Sequence, residues 1–433
     1  MLSIFYKPFT PIIMTTFLII VFVLGYLAII FEHNLKINKT APALLTGTLI
    51  WGLFSLTSSN HLALEGDLLD HIGEIGGILF FLMGAMTIVE LVDTFHGFDI
   101  ITDFIKTKNL RKLLWIISFI TFFLSAALDN LTTTIVMVTL LRKLIQNAKE
   151  RMLFIGMVVI AANAGGAFSP IGDVTTTMLW IGGQISTFGI IKMLFLPSLV
   201  CLIVPLIFLS FKIKGSLTIP ESFIEKKSDA KEKYLIFILG IGGLLFVPIF
   251  KTITHTPPYM GILFVLSIMW IITEILSDRK PPESKRRYSI YHAFEKLDIP
   301  TVLFFLGILL AVAGLEASGI LHNSAIWLES TFKNQTLIVT LIGLISAIID
   351  NVPLVAASMG MYSLEQFPMD DNFWELLAYC AGTGGSCLII GSAAGVAAMG
   401  MEKISFIWYL KNISWAALLG YFAGIGTFLL FSS

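Results

Sequence analysis

Apolar runs of about 20 residues recur along the whole chain, separated by short polar breaks, and each is long enough to carry a helix across ~30 Å of hydrocarbon. Ten full spans are expected, at 10–31, 41–57, 72–94, 152–184, 188–211, 233–250, 257–276, 300–320, 374–401 and 407–431. Two further apolar stretches, 112–142 and 335–363, fit this pattern poorly because polar residues interrupt each in the middle. Taken whole, the first would make a helix of ~46 Å, whereas an arm such as 130–142 covers only ~20 Å, less than the hydrocarbon. Lys106, Lys108, Arg111 and Lys112 precede it, and Arg142, Lys143, Lys149 and Arg151 follow it, so both ends belong on one side. The stretch reads as a re-entrant hairpin with Asp129 and Asn130 at its tip, tolerable where its exposed backbone is buried in protein or faces water.

Composition agrees with the pattern. Of 433 residues, 56% are hydrophobic and 13% charged, whereas a soluble protein carries about 25% charge, so a soluble globular fold is excluded. The first run follows Lys7 and resembles a secretory signal, but it lacks a small-residue cleavage site and has a counterpart later in the chain, so it is kept as a span. Cys201, Cys380 and Cys387 fall in apolar segments without metal-ligand spacing and read as small buried hydrophobes. With the N-terminus outside, 24 of the Lys and Arg residues face the cytoplasm and 4 face out; the opposite orientation inverts that ratio. The expectation is a multi-pass protein of the cell (inner) membrane with both termini outside.

The chain also repeats itself. Ser125-Ala126 with Asp129-Asn130 matches Ser346-Ala347 with Asp350-Asn351, and "NAGGAFSPIGD" (163–173) lies over "GTGGSCLIIGS" (382–392), aligning Gly165, Gly166 and Gly172 with Gly384, Gly385 and Gly391. "FFLMG" (80–84) resembles "FFLG" (304–307), and Gly25 and Pro42 share their separation with Gly240 and Pro257. The expected organisation is a first repeat over 1–213, a cytoplasmic linker over 214–232 and a second repeat over 233–433. Five spans and one hairpin per half is an odd number of crossings, so the repeats are inverted and the hairpins enter from opposite faces. The fold class is therefore all-α: a polytopic membrane protein of two inverted repeats with broken helices at the midplane, the architecture of secondary transporters.

The breaks carry the candidate chemistry. Gly165, Gly166, Pro170 and Gly172 sit inside a span, where a continuous helix would lose ~1 kcal/mol per Gly and ~3 for Pro, so the helix should unwind there. Unwinding frees carbonyls beside threonine hydroxyls and a carboxylate, oxygen ligands suited to a small hard cation. Asp129, Asp173 and Asp350 are intramembrane carboxylates, each costing about 2.5 to 3.5 kcal/mol on insertion scales, and such residues usually mark ion or proton paths. A cation and a proton competing for those oxygens is the minimal chemistry of exchange. The alternative is that an Asp or Asn at a break only caps the next helix, or that Thr132 or Thr175 bonds back to its own helix. The two roles are compatible, since a capping Asn130 or Asn351 would leave its Asp for the ion. No G-x-x-x-x-G-K-[ST] sequence is present, so neither nucleotide nor nucleic acid is an expected partner; the lipid bilayer is.

"LDNLTTTIVM", "AANAGGAFSPIGDVTTTMLW" and "IDNVPLVAASMGMY" closely resemble the NhaD-type sodium/proton antiporters of the ion transporter superfamily. The likeness covers nearly the whole chain. It implies ten or eleven spans, two opposed re-entrant hairpins, a homodimer and elevator-like movement of a transport domain against a scaffold. It also implies no enzyme activity and no cofactor, only transported Na⁺ (or Li⁺) and H⁺. The family's ion-binding residues match Asp129, Thr132, Asp173, Thr175, Thr176, Asp350, Ser386 and Ser392, to which the capping Asn130 and Asn351 are added; Na⁺ is expected at Asp129, Thr132, Asp173 and Thr175. One departure from some relatives is a missing extra N-terminal span. Two other readings stand beside this one: an arsenite or dicarboxylate permease of the same superfamily, and a passive cation channel. Arsenite carriers typically continue Gly-Asp with Pro and Asn where this chain has Val174, Thr175 and Thr176, and dicarboxylate carriers show Ser-Asn-Thr without a carboxylate at the hairpin.

Overall fold

The computed structural model describes residues 11–57, 61–100, 107–213, 215, 230–348 and 350–432, and every extended element among them is helical. Helices α1 (Pro11–Ile30), α2 (Thr40–Thr57) and α3 (His61–Thr94) open the chain, followed by α4 (Leu110–Leu128) and α5 (Asn130–Leu144), which meet at Asp129. Then come α6 (Ala148–Ala167), α7 (Val174–Ile181), α8 (Thr187–Lys212), α9 (Ala230–Thr254) and α10 (Pro258–Asp278). Leaving aside short helical turns such as Glu32–Leu35, Pro282–Lys285 and Ile290–Glu295, the rest is α11 (Ile299–Ala317), α12 (Ile320–Phe332), α13 (Gln335–Ile345), α14 (Asn351–Met361), α15 (Asn372–Gly384), α16 (Ala393–Glu402) and α17 (Phe406–Ser432). Among the described residues, eight of these helices are long and apolar enough to cross a bilayer: α3, α4, α6, α8, α9, α10, α11 and α17. The chain is a multi-pass membrane protein. Most of the expected linker 214–232 lies outside the described residues.

The helix ends depart from the hydropathy pattern in two instructive places. The span expected at 72–94 belongs to a helix that starts at His61 and runs 34 residues, ~51 Å, well beyond the hydrocarbon thickness. Glu65, Asp67, Asp70 and Glu74 interrupt the apolar run without interrupting the helix, because no proline intervenes and the acidic side chains are free to face out. The second is α12, a separate helix after the span expected at 300–320. Gly319 stands at φ 75°, a left-handed setting that glycine adopts without strain, and the chain turns there into an amphipathic helix.

The described chain forms two compact units. The first comprises the stretch up to Leu79, Asp298–Asn334 and Ala356–Gln366. In it α2 packs between α1 and α11, and the Trp51 indole donates to the Leu310 carbonyl at 2.8 Å, so the one polar atom of a large buried ring is satisfied by main chain. The second unit comprises Phe80–Leu297, Gln335–Val355 and Phe367–Ser433. Its centre is formed by α6, buried continuously over Phe154–Ala167, and α15, buried over Phe373–Gly384. Helix α4 lies along α6 and α13 along α15, while α8 lies along α17. Tyr379 and Tyr421 stack in this core, the Tyr379 hydroxyl donating to the Tyr421 carbonyl at 3.0 Å and the Tyr421 hydroxyl to the Thr340 carbonyl at 2.8 Å. The candidate site lies within this second unit.

Candidate ion site

The chain breaks first at Asp129. Its backbone stands at φ 117°, ψ 162°, a setting that L-residues rarely adopt, and the carboxylate caps the helix that follows. Oδ1 accepts from the Thr132 amide at 2.7 Å and Oδ2 from the Thr132 hydroxyl at 2.8 Å. The assignment of roles is thus the reverse of the sequence expectation: Asp129 caps, and its neighbour Asn130 points inward. Asn130 is 4% exposed, and its amide donates to Asp173 Oδ2 at 2.5 Å and to Asn163 Oδ1 at 3.0 Å.

The second break lies between α6 and α7. Helix α6 ends at Ala167, six residues are unwound, and Asp173 caps α7 by accepting from the Thr175 amide at 2.8 Å and the Thr175 hydroxyl at 2.7 Å, both on Oδ1. Thr176 donates to the Asp173 carbonyl at 2.9 Å, so its hydroxyl serves the turn. The equivalent break between α15 and α16 is unwound over 385–392, and Ser392 caps α16 by accepting from the Gly395 amide at 3.2 Å. Asp173 and Ser392 share one backbone setting, φ −149°, ψ 149° in the first and φ −145°, ψ 154° in the second.

The surroundings of the two breaks repeat as well. A Cβ on Gly165 would stand 2.1 Å from the Phe122 carbonyl oxygen, and one on Gly384 would stand 2.0 Å from that of Gly343, so each pair of helices touches backbone to backbone and only glycine fits. The Ser125 hydroxyl donates to the Ala162 carbonyl at 2.6 Å, and the Ser346 hydroxyl reaches the Ala381 carbonyl at 3.2 Å.

These segments converge on Asp173, which is 2% exposed. Besides Asn130 and Thr175, Asn351 at the start of α14 donates to it, 3.4 Å from each carboxylate oxygen. Asn163, fully buried in α6, ties the two breaks together: its amide donates to the hydroxyls of Ser386 and Ser392 at 2.9 Å each, while its oxygen accepts from Asn130. Asp129 and Asp350 each interact electrostatically with Asp173. No hydrogen bond among the described residues joins Asp129 to Asp173, and Asp350 accepts from the Val352 amide at 3.4 Å. Asp173, Asn130, Thr175, Asn351, Asn163, Ser386 and Ser392 therefore form one connected network, with Asp129 and Thr132 paired beside it.

Chemically, this is an ionisable carboxylate held by amides and hydroxyls alone. Removing it from water without a cationic partner is costly unless a proton or a cation joins it. Each side chain of the network carries an oxygen that a hard cation could take once its donor hydrogens turn away. Asn163 is absent from the sequence-derived candidates although it joins both breaks. The signal available was a lone amide within a long apolar run, two residues before the first glycine.

The far ends of α5, α7 and α16 are also held. Lys251 on α9 donates to the Trp180 carbonyl at the end of α7 at 2.9 Å, and its ammonium stands 4.4 Å from the centre of the Trp180 ring. At the end of α16, Glu402 accepts from Arg142 of α5 at 3.0 Å and from Arg151 of α6 at 2.6 Å.

Residues 26–371 match a family model described as a citrate transporter. Sodium/proton antiporter 1 of Arabidopsis thaliana is 50% identical over 412 residues, covering 95% of this chain and 71% of that protein. Sodium/proton antiporter 2 of the same plant is 49% identical, with 95% and 98% covered. The Na(+)/H(+) antiporter NhaD of Vibrio cholerae is 31% identical, with 94% and 90% covered. The chain belongs to the transporter family that this model describes and, within it, to the NhaD-type sodium/proton antiporters.

Proposed function

We propose that the protein is a secondary active transporter that exchanges cytoplasmic Na⁺ (or Li⁺) for external H⁺, both competing for buried carboxylates. The observation that carries this is the convergence of two helix breaks and of the Asn of both Asp-Asn pairs on Asp173, a buried acid that no Lys or Arg among the described residues hydrogen-bonds. Ionised Asp173 holds the cation together with Thr175 and the amide and hydroxyl oxygens around it. A proton reaching the same oxygens removes the charge that held the cation, which leaves. Asp129 with Thr132, and Asp350 with Asn351, supply the neighbouring negative field that favours a cation over an anion. An anionic substrate such as citrate would need basic donors, whereas the partners bonded to Asp173 are amides and hydroxyls. A passive channel would pass Na⁺ without moving protons.

The proposal extends to the architecture. The matched caps, glycine contacts and serine bonds of the two breaks support a duplicated chain, with repeats over 1–213 and 233–433. Inverted repeats would bring re-entrant hairpins 112–142 and 335–363 in from opposite faces. The distribution of Lys and Arg supports both termini outside the inner membrane, and the family resemblance supports a homodimer.

The test is Na⁺-dependent collapse of a proton gradient in everted vesicles. Replacing Asp173 by Asn keeps the shape and removes the charge, and exchange is expected to fall at least about a hundredfold, equivalent to ~2.7 kcal/mol. Exchange near the wild-type rate in that variant would overturn the assignment.

A further inference from the structure

We propose that Thr133 and Thr134 form a second resting place for the transported cation, about one helical turn from Asn130 along α5. Both side chains are fully buried, and both hydroxyls lack a hydrogen-bond partner among the described residues. Most buried hydroxyls elsewhere in this unit behave otherwise, Ser198 and Ser414 being isolated exceptions. Ser118 donates to the Leu114 carbonyl at 2.7 Å, Thr121 to Ile117 at 2.7 Å and Thr383 to Tyr379 at 2.6 Å, the ordinary return bond to the preceding turn. Two neighbouring exceptions on one helix face need a reason, because each hydroxyl taken from water and left unpaired costs free energy.

Their place supplies the reason. Residues three and four apart share a helix face, so Thr133 and Thr134 stand on the same face as Asn130. That face, continued by Met137, Val138 and Leu141, is the buried one, and α5 packs against α6 and α16. Helix α6 carries Asn163 and α16 is capped by Ser392, both members of the network around Asp173. The two unpaired oxygens therefore extend the polar strip from Asp173 toward the Arg142 end of α5. A hydroxyl oxygen is a neutral ligand for a hard monovalent cation, and two of them beyond a charged site offer a weaker stop that the ion can leave readily.

This rests on the proposed Na⁺/H⁺ exchange, and the experiment separates the two. Thr133→Val and Thr134→Val, singly and together, keep the side-chain shape and remove the oxygen; Thr→Ser at the same positions retains it. Reconstituted protein is assayed for proton flux against Na⁺ and, separately, Li⁺ concentration, with thermal stability measured alongside. The double valine variant should raise the KM for Na⁺ about tenfold with little change in kcat, and serine should restore it to within about twofold. The ratio of the Na⁺ and Li⁺ KM values should change too, since the two ions differ in size. A purely structural pair predicts the opposite: valine neutral or stabilising, with both KM values at the wild-type level, and that result overturns the proposal. Loss of kcat at constant KM, unrelieved by serine, overturns it as well. Where a valine variant does not accumulate, Thr→Ala is measured on the same criteria. Wild-type protein that moves no protons in response to Na⁺ refutes the exchange function itself, a result distinct from an unaltered KM in the valine variants.

Discussion

Fully buried, Asn163 uses both donors of its amide on hydroxyls and accepts from Asn130 on its oxygen. Truncation to Ala would take one partner each from Ser386, Ser392 and Asn130, of which Ser392 keeps the Gly395 amide and Asn130 keeps Asp173, and an unsatisfied buried group costs about 1–3 kcal/mol. Asn163→Ala should therefore lower thermal stability by at least ~1 kcal/mol and weaken Na⁺-dependent exchange, while Asn163→Gln, which keeps both functions, should fall between; a melting curve and a flux assay on the same preparations decide it. At this scale the sequence singled out the polar residues at the breaks but not how each would be bonded. Asp129-Asn130 was visible as a polar break, yet which neighbour caps and which points inward depends on one dihedral, the φ of 117° at Asp129, and residue type alone does not encode it. Asn163 was passed over because a single amide in an apolar helix has no pattern to betray it.

Short helices carry the site, and α5, α7 and α16 are fixed at the end away from it. Helix α7 has 8 residues, too few to persist alone in water, and it is held by Asp173 at one end and Lys251 at the other. Helices α5 and α16 end on one carboxylate, Glu402, whose side chain is 4% exposed. Burial alone would push its carboxyl up, but the hydrogen bonds and charges of Arg151 and Arg142 outweigh that and hold it below the ordinary value of 4.5. A carboxyl so depressed adds stability that is fully present above about pH 4.5 and drains away as pH falls through its lower folded-state value. Glu402→Gln should thus be less stable than the wild type at neutral pH, by ~1 kcal/mol after allowing for the half-exposed Arg142. The two melting temperatures should approach each other as pH drops below that range; a constant gap across pH would show that the pairing is not the cause. The breaks at this scale were legible because Gly and Pro clusters punctuate helices. The braces were not, since Lys251 and Trp180 are 71 residues apart and no spacing rule links them.

For the whole molecule, the charge distribution makes a topological prediction. A cysteine placed at Ser432 should react with a membrane-impermeant maleimide in intact cells, and one at Lys149 only after permeabilisation; the reverse pattern would overturn the outward termini. The native Cys201, Cys380 and Cys387 are all buried and should contribute little background. Most of the helical layout was readable from apolar run length, because the bilayer imposes that length. The extension of α3 and the separate α12 were not, because hydropathy marks where the chain is greasy rather than where its hydrogen-bonded ladder starts and stops. Asp173 and Ser392, finally, occupy one backbone setting twice over, filled once with an acid and once with an alcohol. On the proposed function, a monovalent guest is balanced by charge from one of these sockets alone, so it settles off-centre, nearer Asp173. Two breaks that share one capping geometry would thereby be given unequal parts, and the site would acquire a preferred side.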